Sequence, residues 1–341
     1  MRIAIIGAGA VGSVLGSLLW RAGEDVVLVG RAAHVAAIRA AGLNVEGVLG
    51  GFKATPSAEE RLSTRPELGL LTVKTQDIVT ALRENAAMLD GVPIVVLQNG
   101  LRGEELAATV VRAEQLVSAV VALHAQYLVP GHVVLMQSEG LLIGRPNGKN
   151  DEVIERVRSV LEKAVPTSVT ANIRGAGWTK LIVNLSSVLP ALCDESFKQV
   201  YKDPFLRQLA VHLMREGIAV AERAGIRLES IPGTSLRLVT LVAHSPAALA
   251  GDVAARKTAG IETHWPLKGS TWQSVARGRP TEIEYLNGEI VRMGKELHVS
   301  TPFNELVVTL MQRVASEGRY LGLREIDEAS RQRGGDDRAR A

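Results

Sequence analysis

The feature that most constrains the fold of this 341-residue chain is a glycine pattern close to residue 1. Gly7, Gly9 and Gly12 form G-x-G-x-x-G directly after the short apolar run 3–6, and apolar residues at helical spacing follow. A second apolar run covers 25–30. A strand, a glycine turn, a helix and a second strand in this order are typical of the βαβ unit that binds dinucleotides. The pattern therefore predicts such a unit at the start of the chain.

Each glycine of this pattern has its own physical role. Gly7 permits a tight turn, Gly9 lets the backbone approach a pyrophosphate, and Gly12 lets the helix pack closely on the strand. The first-turn N–H groups of the helix have no partner within the helix, so they are available to the phosphates. The cofactor-binding residues predicted in this loop are Gly7, Ala8, Gly9, Ala10, Val11 and Gly12.

The residues that end the second strand distinguish the two nicotinamide cofactors. Enzymes that use NAD usually carry an acidic residue here, which binds the ribose 2′-hydroxyl. This chain has Val29, Gly30 and Arg31 instead. Gly30 leaves room for a 2′-phosphate, and the Arg31 guanidinium can bind it through charged hydrogen bonds. We therefore expect NADPH as the cofactor and Arg31 as one of its ligands.

Further strands predict a complete doubly wound, mostly parallel sheet in the N-terminal half. The buried run 68–74 ends in Lys74, and the run 93–100 ends in Gln98, Asn99 and Gly100. Ligands of such sheets bind beyond the carboxyl ends of the strands, so Lys74 and Asn99 are expected to face the cleft. Later strands extend to about residue 145, and His124, between a strand and a loop, is interpreted as an ordinary hydrogen-bonded loop histidine.

The C-terminal half has mainly helical periodicity. Beyond one more strand at 168–173, helices are predicted at 151–165, 175–192, 203–225, 281–297 and 301–318. The residues from 323 are charged and carry no apolar stripe, which predicts a disordered tail. The predicted division is a Rossmann domain at 1–172, an all-helical domain at 173–322 and the tail at 323–341.

The helix predicted at 175–192 is unusually apolar for a segment that carries Lys180 and Asn184. These two residues are four positions apart and therefore share one face of the helix. A lysine on an ordinary helix can extend its ammonium group to solvent, whereas a lysine in a cleft can donate a proton and stabilise a developing alkoxide. Partial burial would lower the pKa of Lys180 and make it a better acid. Both interpretations stay open at this point.

Composition excludes several classes of protein. Aromatic residues are only 4%, and 39 Lys and Arg against 36 Asp and Glu give a scattered charge of +3, so no nucleic-acid partner is expected. Cys193 is the single cysteine, which fits a reducing compartment and a core position rather than a nucleophile. With no signal peptide and no membrane span predicted, we expect a cytoplasmic protein without a metal site, and long apolar helices favour a homodimer.

The order of these features resembles the ketopantoate reductase (2-dehydropantoate 2-reductase) family over roughly residues 1–320. The motifs that carry the resemblance are "GAGAVG" (7–12), "VK" (73–74), "QNG" (98–100), "WTKLIVN" (178–184), "TEIEYLNGEIV" (281–291) and "LHVSTPFN" (297–304). The resemblance implies a Rossmann domain followed by a helical domain like the C-terminal domain of 6-phosphogluconate dehydrogenase. It also implies NADPH-dependent reduction of ketopantoate to (R)-pantoate, a step in pantothenate and coenzyme A synthesis.

The resemblance also implies roles for individual residues. Lys180 is the expected general acid, and Asn184 the expected hydrogen-bond partner of the substrate. The resemblance implies that Glu282 reaches the cofactor ribose and the substrate and that it is catalytic together with Lys180. Ser270 contacts the substrate carboxylate. Lys74 and Asn99 are expected to contact the cofactor, and Asn99 is also expected to contact the substrate.

Two departures from the family put the substrate in question. Val188 stands where the family usually carries a second asparagine, and "DESFKQ" (194–199) replaces an Asn-Gly-Glu-Leu-like stretch. A more apolar pocket would discriminate less strongly against other substrates. Reduction of another 2-oxo acid, or of an imine derived from one, is therefore an alternative function. A regulatory protein that binds NADPH without turnover is a further alternative, which retention of Lys180, Asn184 and Glu282 disfavours.

Overall fold

The structure, a computed structural model, describes residues 1–246, 249–253, 256 and 266–338. Its contacts divide the chain into two compact units. The first consists of Met1–Gly177 with Ile231–Gly233, and the second of Trp178–Ser230 and Thr234–Ala341.

The first unit contains a ten-stranded sheet within the fully described stretch 1–177. The spatial order is β4-β3-β9-β8-β7-β6-β1-β2-β5, and β10 pairs with β9. The pairs along β8-β7-β6-β1-β2-β5 are parallel, whereas β8 with β9 and β3 with β4 are antiparallel. The strands are β1 Arg2–Ile6, β2 Asp25–Val29, β3 Leu43–Gly47, β4 Phe52–Ala54, β5 Ser57–Glu59, β6 Leu68–Leu71, β7 Ile94–Val96, β8 Leu116–Gln126, β9 His132–Gly144 and β10 Thr167–Val169.

Helices cover both faces of this sheet, which explains why its central strands are apolar without alternation. Ile3 and Ile5 of β1 join one hydrophobic cluster, and Ala4 and Ile6 join another on the opposite face. Successive side chains of a strand point to opposite faces, so both faces of β1 are buried. The helices of this unit are α1 Ala10–Arg21, α2 Ala32–Ala41, α3 Ile78–Glu84, α4 Ala86–Leu89, α5 Gly103–Ala108 and α6 Glu152–Leu161. The predicted doubly wound, mostly parallel sheet is confirmed.

Several predicted strand boundaries differ from the observed ones. β6 and β7 end at Leu71 and Val96, so Lys74 and Asn99 lie in the loops that follow rather than in the strands. The predicted strand 168–173 is wrong at its end, because β10 stops at Val169 and a helix begins at Ile173. His124 lies inside β8 rather than in a loop. Strands β3, β4 and β5 were absent from the sequence-based prediction.

The second unit is helical over its described residues. Asp203 caps one of its helices by accepting hydrogen bonds from the N–H groups of Phe205 and Leu206, and Gly318 ends another in the left-handed conformation. The helices, including α7 that begins in the first unit, are α7 Ile173–Asn184, α8 Val188–Cys193, α9 Phe197–Lys202, α10 Pro204–Arg223, α11 Leu236–His244, α12 Gly269–Ala276, α13 Asn287–Leu297, α14 Pro302–Glu317 and α15 Leu323–Arg338.

Two helices predicted as continuous are interrupted. The helix predicted at 175–192 contains a 3₁₀ turn at Leu185–Ser187 between α7 and α8. The helix predicted at 281–297 is a single 3₁₀ turn at Ile283–Tyr285, followed by α13. Neither interruption contains Gly or Pro, so the sequence offered no breaker at these positions.

The predicted disordered tail is not observed over the described residues. The chain forms α15 from Leu323 to Arg338, and Ile326 is fully buried. Glu325 pairs with Arg313 and Arg319, which attaches the first turn of α15 to the end of α14. One buried isoleucine and a local ion-pair cluster thus order a segment whose composition is that of a solvated chain. Residues 339–341 lie outside the described residues.

Among the residues that the structure describes, one segment, Ile173–Cys193, is long and apolar enough to cross a membrane by length and composition. Two thirds of its most apolar window is buried inside the protein. This burial is typical of the core helix of a folded domain.

Candidate active site

The glycine loop after β1 has the tight geometry that the sequence predicts. Gly7 has a φ of +113°, and the N–H groups of Gly7 and Ala8 both donate to the Val29 carbonyl, at 3.0 and 2.7 Å. The Thr72 hydroxyl donates to the Gly7 carbonyl at 2.8 Å. Thr72 directly follows β6, so neighbouring strands hold the loop on both sides. Sequence reasoning missed Thr72, which no motif of this chain marks.

The other two glycines differ in what surrounds them. A Cβ on Gly12 would lie 2.4 Å from both the Gly7 carbonyl oxygen and the Thr72 hydroxyl, so only glycine fits there. A Cβ on Gly9 would meet nothing nearer than 3.9 Å, and it would instead occupy the open space in front of the loop. This difference matches the predicted roles, since Gly12 allows close packing and Gly9 keeps the approach to the loop free for a ligand.

Helix α1 points its N-terminus at this open space. Gly9 is the N-cap residue and has no side chain that could bond the first-turn N–H groups of Ala10 and Val11. These groups and the positive end of the helix dipole suit an anionic ligand. The residues of the loop therefore fit the pyrophosphate of a dinucleotide.

Lys74 and Asn99 lie beside the glycine loop, at the point where the strand order changes direction. From β1 the chain runs outward to β2 and later returns to β6 on the other side, so the carboxyl ends of β1 and β6 form the switch point. The Gln98 side-chain amide donates to the carbonyls of Leu71 and Val73, at 3.0 and 2.9 Å, and joins the two loops. The structure thus brings the predicted Lys74 and Asn99 together with the glycine loop.

Arg31 occupies the N-cap position of α2, directly after β2 and Gly30. Its side chain is 66% exposed, and a guanidinium nitrogen lies 3.8 Å from an Asp77 carboxylate oxygen. Glu59 of β5 pairs with Val29, the last residue of β2, so it is the acidic residue that lies beside the end of β2 in the sheet. The Glu59 carboxylate accepts hydrogen bonds from the N–H and hydroxyl of Ser63, so it is occupied within its own loop. The end of β2 therefore offers an exposed cation to a cofactor phosphate.

The burial pattern of α7 explains why so apolar a helix can carry a lysine and an asparagine. Trp178, Thr179, Leu181 and Ile182 are buried, whereas Lys180, Val183 and Asn184 remain partly exposed. The partly exposed positions are three and four residues apart and form one stripe along the helix. Lys180 and Asn184 are therefore the polar groups of this stripe.

Lys180 has the electrostatic property that a general acid needs. Burial disfavours the charged ammonium group and lowers the pKa of Lys180 from 10.5 to about 8. The predicted direction of this shift is confirmed. At neutral pH the side chain is still mostly protonated, yet it releases its proton far more readily than a solvated lysine.

The remaining candidate residues, Glu282 and Ser270, lie in the same unit as Lys180. Glu282 is buried, with 6% of its surface exposed, and it precedes the 3₁₀ turn at 283–285. Ser270 is in the first turn of α12, which packs against α8 and the 3₁₀ turn at 185–187. The structure thus places the helix of Ser270 next to the segment that directly follows Asn184.

Cys193 does not behave as a nucleophile. Its thiol donates to the Leu189 carbonyl at 3.2 Å, and burial raises the pKa of the thiol to about 11. The thiol therefore stays protonated and weakly reactive at neutral pH.

The glycine loop lies at the switch point of a doubly wound sheet, and the helical unit carries a lysine with a lowered pKa. These two features are typical of a Rossmann-type oxidoreductase that uses a nicotinamide cofactor. Residues 3–148 match the family model described as ketopantoate reductase PanE/ApbA, and residues 172–315 match the model of its C-terminal part. The chain belongs to the ketopantoate reductase family.

Individual relatives agree with the family models. The 2-dehydropantoate 2-reductase of Pyrococcus horikoshii is 31% identical over 323 residues, covering 93% of this chain and 99% of that protein. The enzyme of the same name from Archaeoglobus fulgidus is 29% identical and covers 92% of this chain and 98% of that protein. The predicted enzyme class is confirmed by these relatives.

Solved structures show the same fold. The PanE/ApbA family ketopantoate reductase from Ralstonia eutropha has a TM-score of 0.77 at 29% identity and covers 93% of this chain and 99% of its own. D-mandelate dehydrogenase, solved with NADH and anilino(oxo)acetate, has a TM-score of 0.79 at 23% identity, with coverage of 93% and 99%. The second likeness concerns the fold alone. The predicted combination of a Rossmann domain and a helical domain is confirmed.

Proposed function

We propose that this protein uses NADPH to reduce ketopantoate to (R)-pantoate, with Lys180 as the general acid, within pantothenate and coenzyme A biosynthesis. The observation that carries the proposal is the partly exposed stripe of α7, which presents Lys180 and Asn184 together. Burial lowers the pKa of Lys180 to about 8, which agrees with a role as the acid. The names of the relatives support the substrate, since proteins called 2-dehydropantoate 2-reductase match almost the full chain.

NADPH is the preferred cofactor in this proposal because of the end of β2. The exposed Arg31 guanidinium is available to a 2′-phosphate, and the neighbouring Glu59 carboxylate is engaged by Ser63. The pyrophosphate would be held by residues 7–12, with Lys74 and Asn99 as further ligands beyond the adjoining strands.

The cofactor, when bound, supplies the hydride that reduces the 2-oxo carbon. Negative charge develops on the carbonyl oxygen as the hydride is transferred. The Lys180 ammonium group stabilises this charge and then donates a proton to the oxygen. Asn184 lies one turn further along α7 and holds the substrate in register through its amide. Ser270 donates a hydrogen bond to the substrate carboxylate, and Glu282 contacts the cofactor ribose and the substrate.

A second candidate function is reduction of a different 2-oxo acid or of an imine derived from one. The departure that raises it is the apolar Val188 at a position where the family usually has an amide, although this side chain is buried and lies off the partly exposed stripe of α7. The same Lys180 chemistry serves both candidates, so they differ only in the groups that meet the rest of the substrate.

A substrate and cofactor panel tests the proposal. NADPH and NADH oxidation would be followed at about 340 nm with ketopantoate, 2-oxoisovalerate, pyruvate and oxaloacetate. The proposal expects the highest kcat/KM for ketopantoate with NADPH. Faster turnover of another 2-oxo acid would favour the second candidate, and tight NADPH binding without any turnover would indicate a regulatory protein.

We also propose a cytoplasmic homodimer. A ketopantoate reductase from Staphylococcus aureus is described as dimeric, and it shares this fold with a TM-score of 0.69. Light scattering on the purified protein would give twice the chain mass if the proposal holds and the single chain mass if it does not.

A further inference from the structure

The turn after Asn184 changes which residues reach the polar stripe of α7. Residues Leu185–Ser187 form a 3₁₀ turn rather than a continuation of the α-helix. A 3₁₀ turn advances about 120° per residue, against about 100° in an α-helix. Ser187 therefore comes back to the angular position of Asn184, whereas Val188 is turned about 100° away from it instead of about 40°.

Burial along this segment follows the same geometry. Ser187 is partly exposed, as Lys180 and Asn184 are, whereas Val188 is 1% exposed. A Cβ on Gly269 would lie 4.0 Å from the Ser187 Cβ, so Ser187 lies next to the residue that precedes Ser270. The stripe of Lys180 and Asn184 thus continues through Ser187 to the first turn of α12.

The two residues before Ser187 hold the turn in place. The Leu185 carbonyl accepts a hydrogen bond from the Asn287 amide at 3.1 Å, and Asn287 is itself buried. The Ser186 hydroxyl donates to the Val183 carbonyl and accepts from the Tyr201 hydroxyl, both at 3.3 Å. Ser186 is thereby committed to the interior, which leaves Ser187 as the serine of the turn on the partly exposed side.

We propose that Ser187 is a specificity-determining residue, whose hydroxyl replaces the second amide of the family and binds the hydroxyl group of a hydroxylated 2-oxo acid. This inference rests on the proposed function and deepens it. Val188, although it occupies the aligned position, faces the core and leaves the polarity of the site unchanged. The departure at Val188 therefore does not make the site apolar, because the 3₁₀ turn moves the polar position back by one residue.

A matched pair of substrates isolates the hydroxyl. Ketopantoate and 3,3-dimethyl-2-oxobutanoate differ only in the terminal hydroxyl, so the ratio of their kcat/KM values measures its recognition. A neutral hydrogen bond contributes modestly, and Ser187→Ala is expected to lower this ratio by about fivefold to tenfold. Ser187→Thr, which keeps a hydroxyl, is expected to retain the ratio.

Two control variants separate this role from a structural one. Ser186→Ala removes the neighbouring buried hydroxyl and is expected to lower Tm while leaving the substrate ratio unchanged. Val188→Asn buries an amide without a partner, so it is expected to lower Tm without raising the ratio.

The outcomes distinguish this inference from the proposed function. A wild-type protein that reduces neither substrate would contradict the proposed function itself. If the wild type reduces ketopantoate but the ratio is the same in Ser187→Ala, only the role of Ser187 is overturned. A rise of the ratio in Val188→Asn would also overturn it, since residue 188 would then reach the substrate.

Discussion

Raising the pH through the pKa of Lys180 should switch off the reduction. Burial lowers this pKa to about 8, and only the protonated amine can donate to the carbonyl oxygen. One pH unit above its pKa a group is about one-tenth protonated, so kcat/KM should fall about tenfold by pH 9 and about a hundredfold by pH 10. A solvated lysine, with a pKa near 10.4, would leave the rate almost constant over this range.

The assay is NADPH oxidation with saturating cofactor at pH 6 to 10, with Tm measured at each pH to exclude unfolding. Lys180→Arg is the matched control, because a guanidinium stays charged over the whole range and does not release its proton. Its activity should be low and independent of pH. A wild-type profile that stays flat to pH 10 would refute the assignment of Lys180 as the acid.

The same burial should make Lys180 costly for stability. Because the folded state lowers the pKa of this ammonium group, its charged form destabilises the folded protein below pH 8, and the cost disappears as the pH approaches 10.5. Lys180→Met should therefore raise the free energy of unfolding at pH 7 by about 1–3 kcal/mol while abolishing turnover. A lower Tm for this variant would contradict the burial argument.

Four further variants test other parts of the structure. Gly9→Ala should raise the KM for NADPH at least about tenfold with little change in Tm. Gly12→Ala should lower Tm as well, because its Cβ would lie 2.4 Å from the Gly7 carbonyl oxygen. Equal Tm losses in the two variants would contradict this distinction. Arg31→Ala should raise the KM for NADPH about tenfold or more and leave that for NADH unchanged, as measured by the two cofactor titrations. Glu216 accepts hydrogen bonds from the N–H groups at the start of α14, and burial raises its pKa to about 7. Its protonated form is favoured on folding, so the Tm of the wild type relative to Glu216→Gln should fall as the pH rises from 5 to 8, and a constant difference would refute this.

Much of the nucleotide-binding half follows from local sequence. The glycine fingerprint, β1, α1 and β2 are defined by spacing within thirty residues, and the observed loop depends on the same glycines. Strands β3, β4 and β5 are different, because they are three to five residues long and mix polar with apolar positions. β3 and β4 pair locally with each other, but β3 also pairs with β9 and β5 pairs with β2, and these partners are distant in sequence, so no local pattern predicts where the three strands join the sheet.

The candidate site shows the same division between local and tertiary control. Lys180 and Asn184 could be predicted as one face from their spacing alone. The 3₁₀ turn that follows could not, because its position is fixed by Asn287 and Tyr201, about 100 and 15 residues away along the chain. Burial distinguishes the partly exposed Ser187 from the buried Ser186, and the local sequence contains no signal for this difference.

The most direct measurement compares wild type and Lys180→Ala in NADPH oxidation with ketopantoate at pH 7. The account predicts rapid turnover by the wild type and a loss of about 10²-fold or more in kcat for the variant, with an unchanged Kd for NADPH, because Lys180 acts on the carbonyl oxygen and not on the nucleotide. A variant that reduces ketopantoate as fast as the wild type would contradict the central claim that Lys180 is the proton donor.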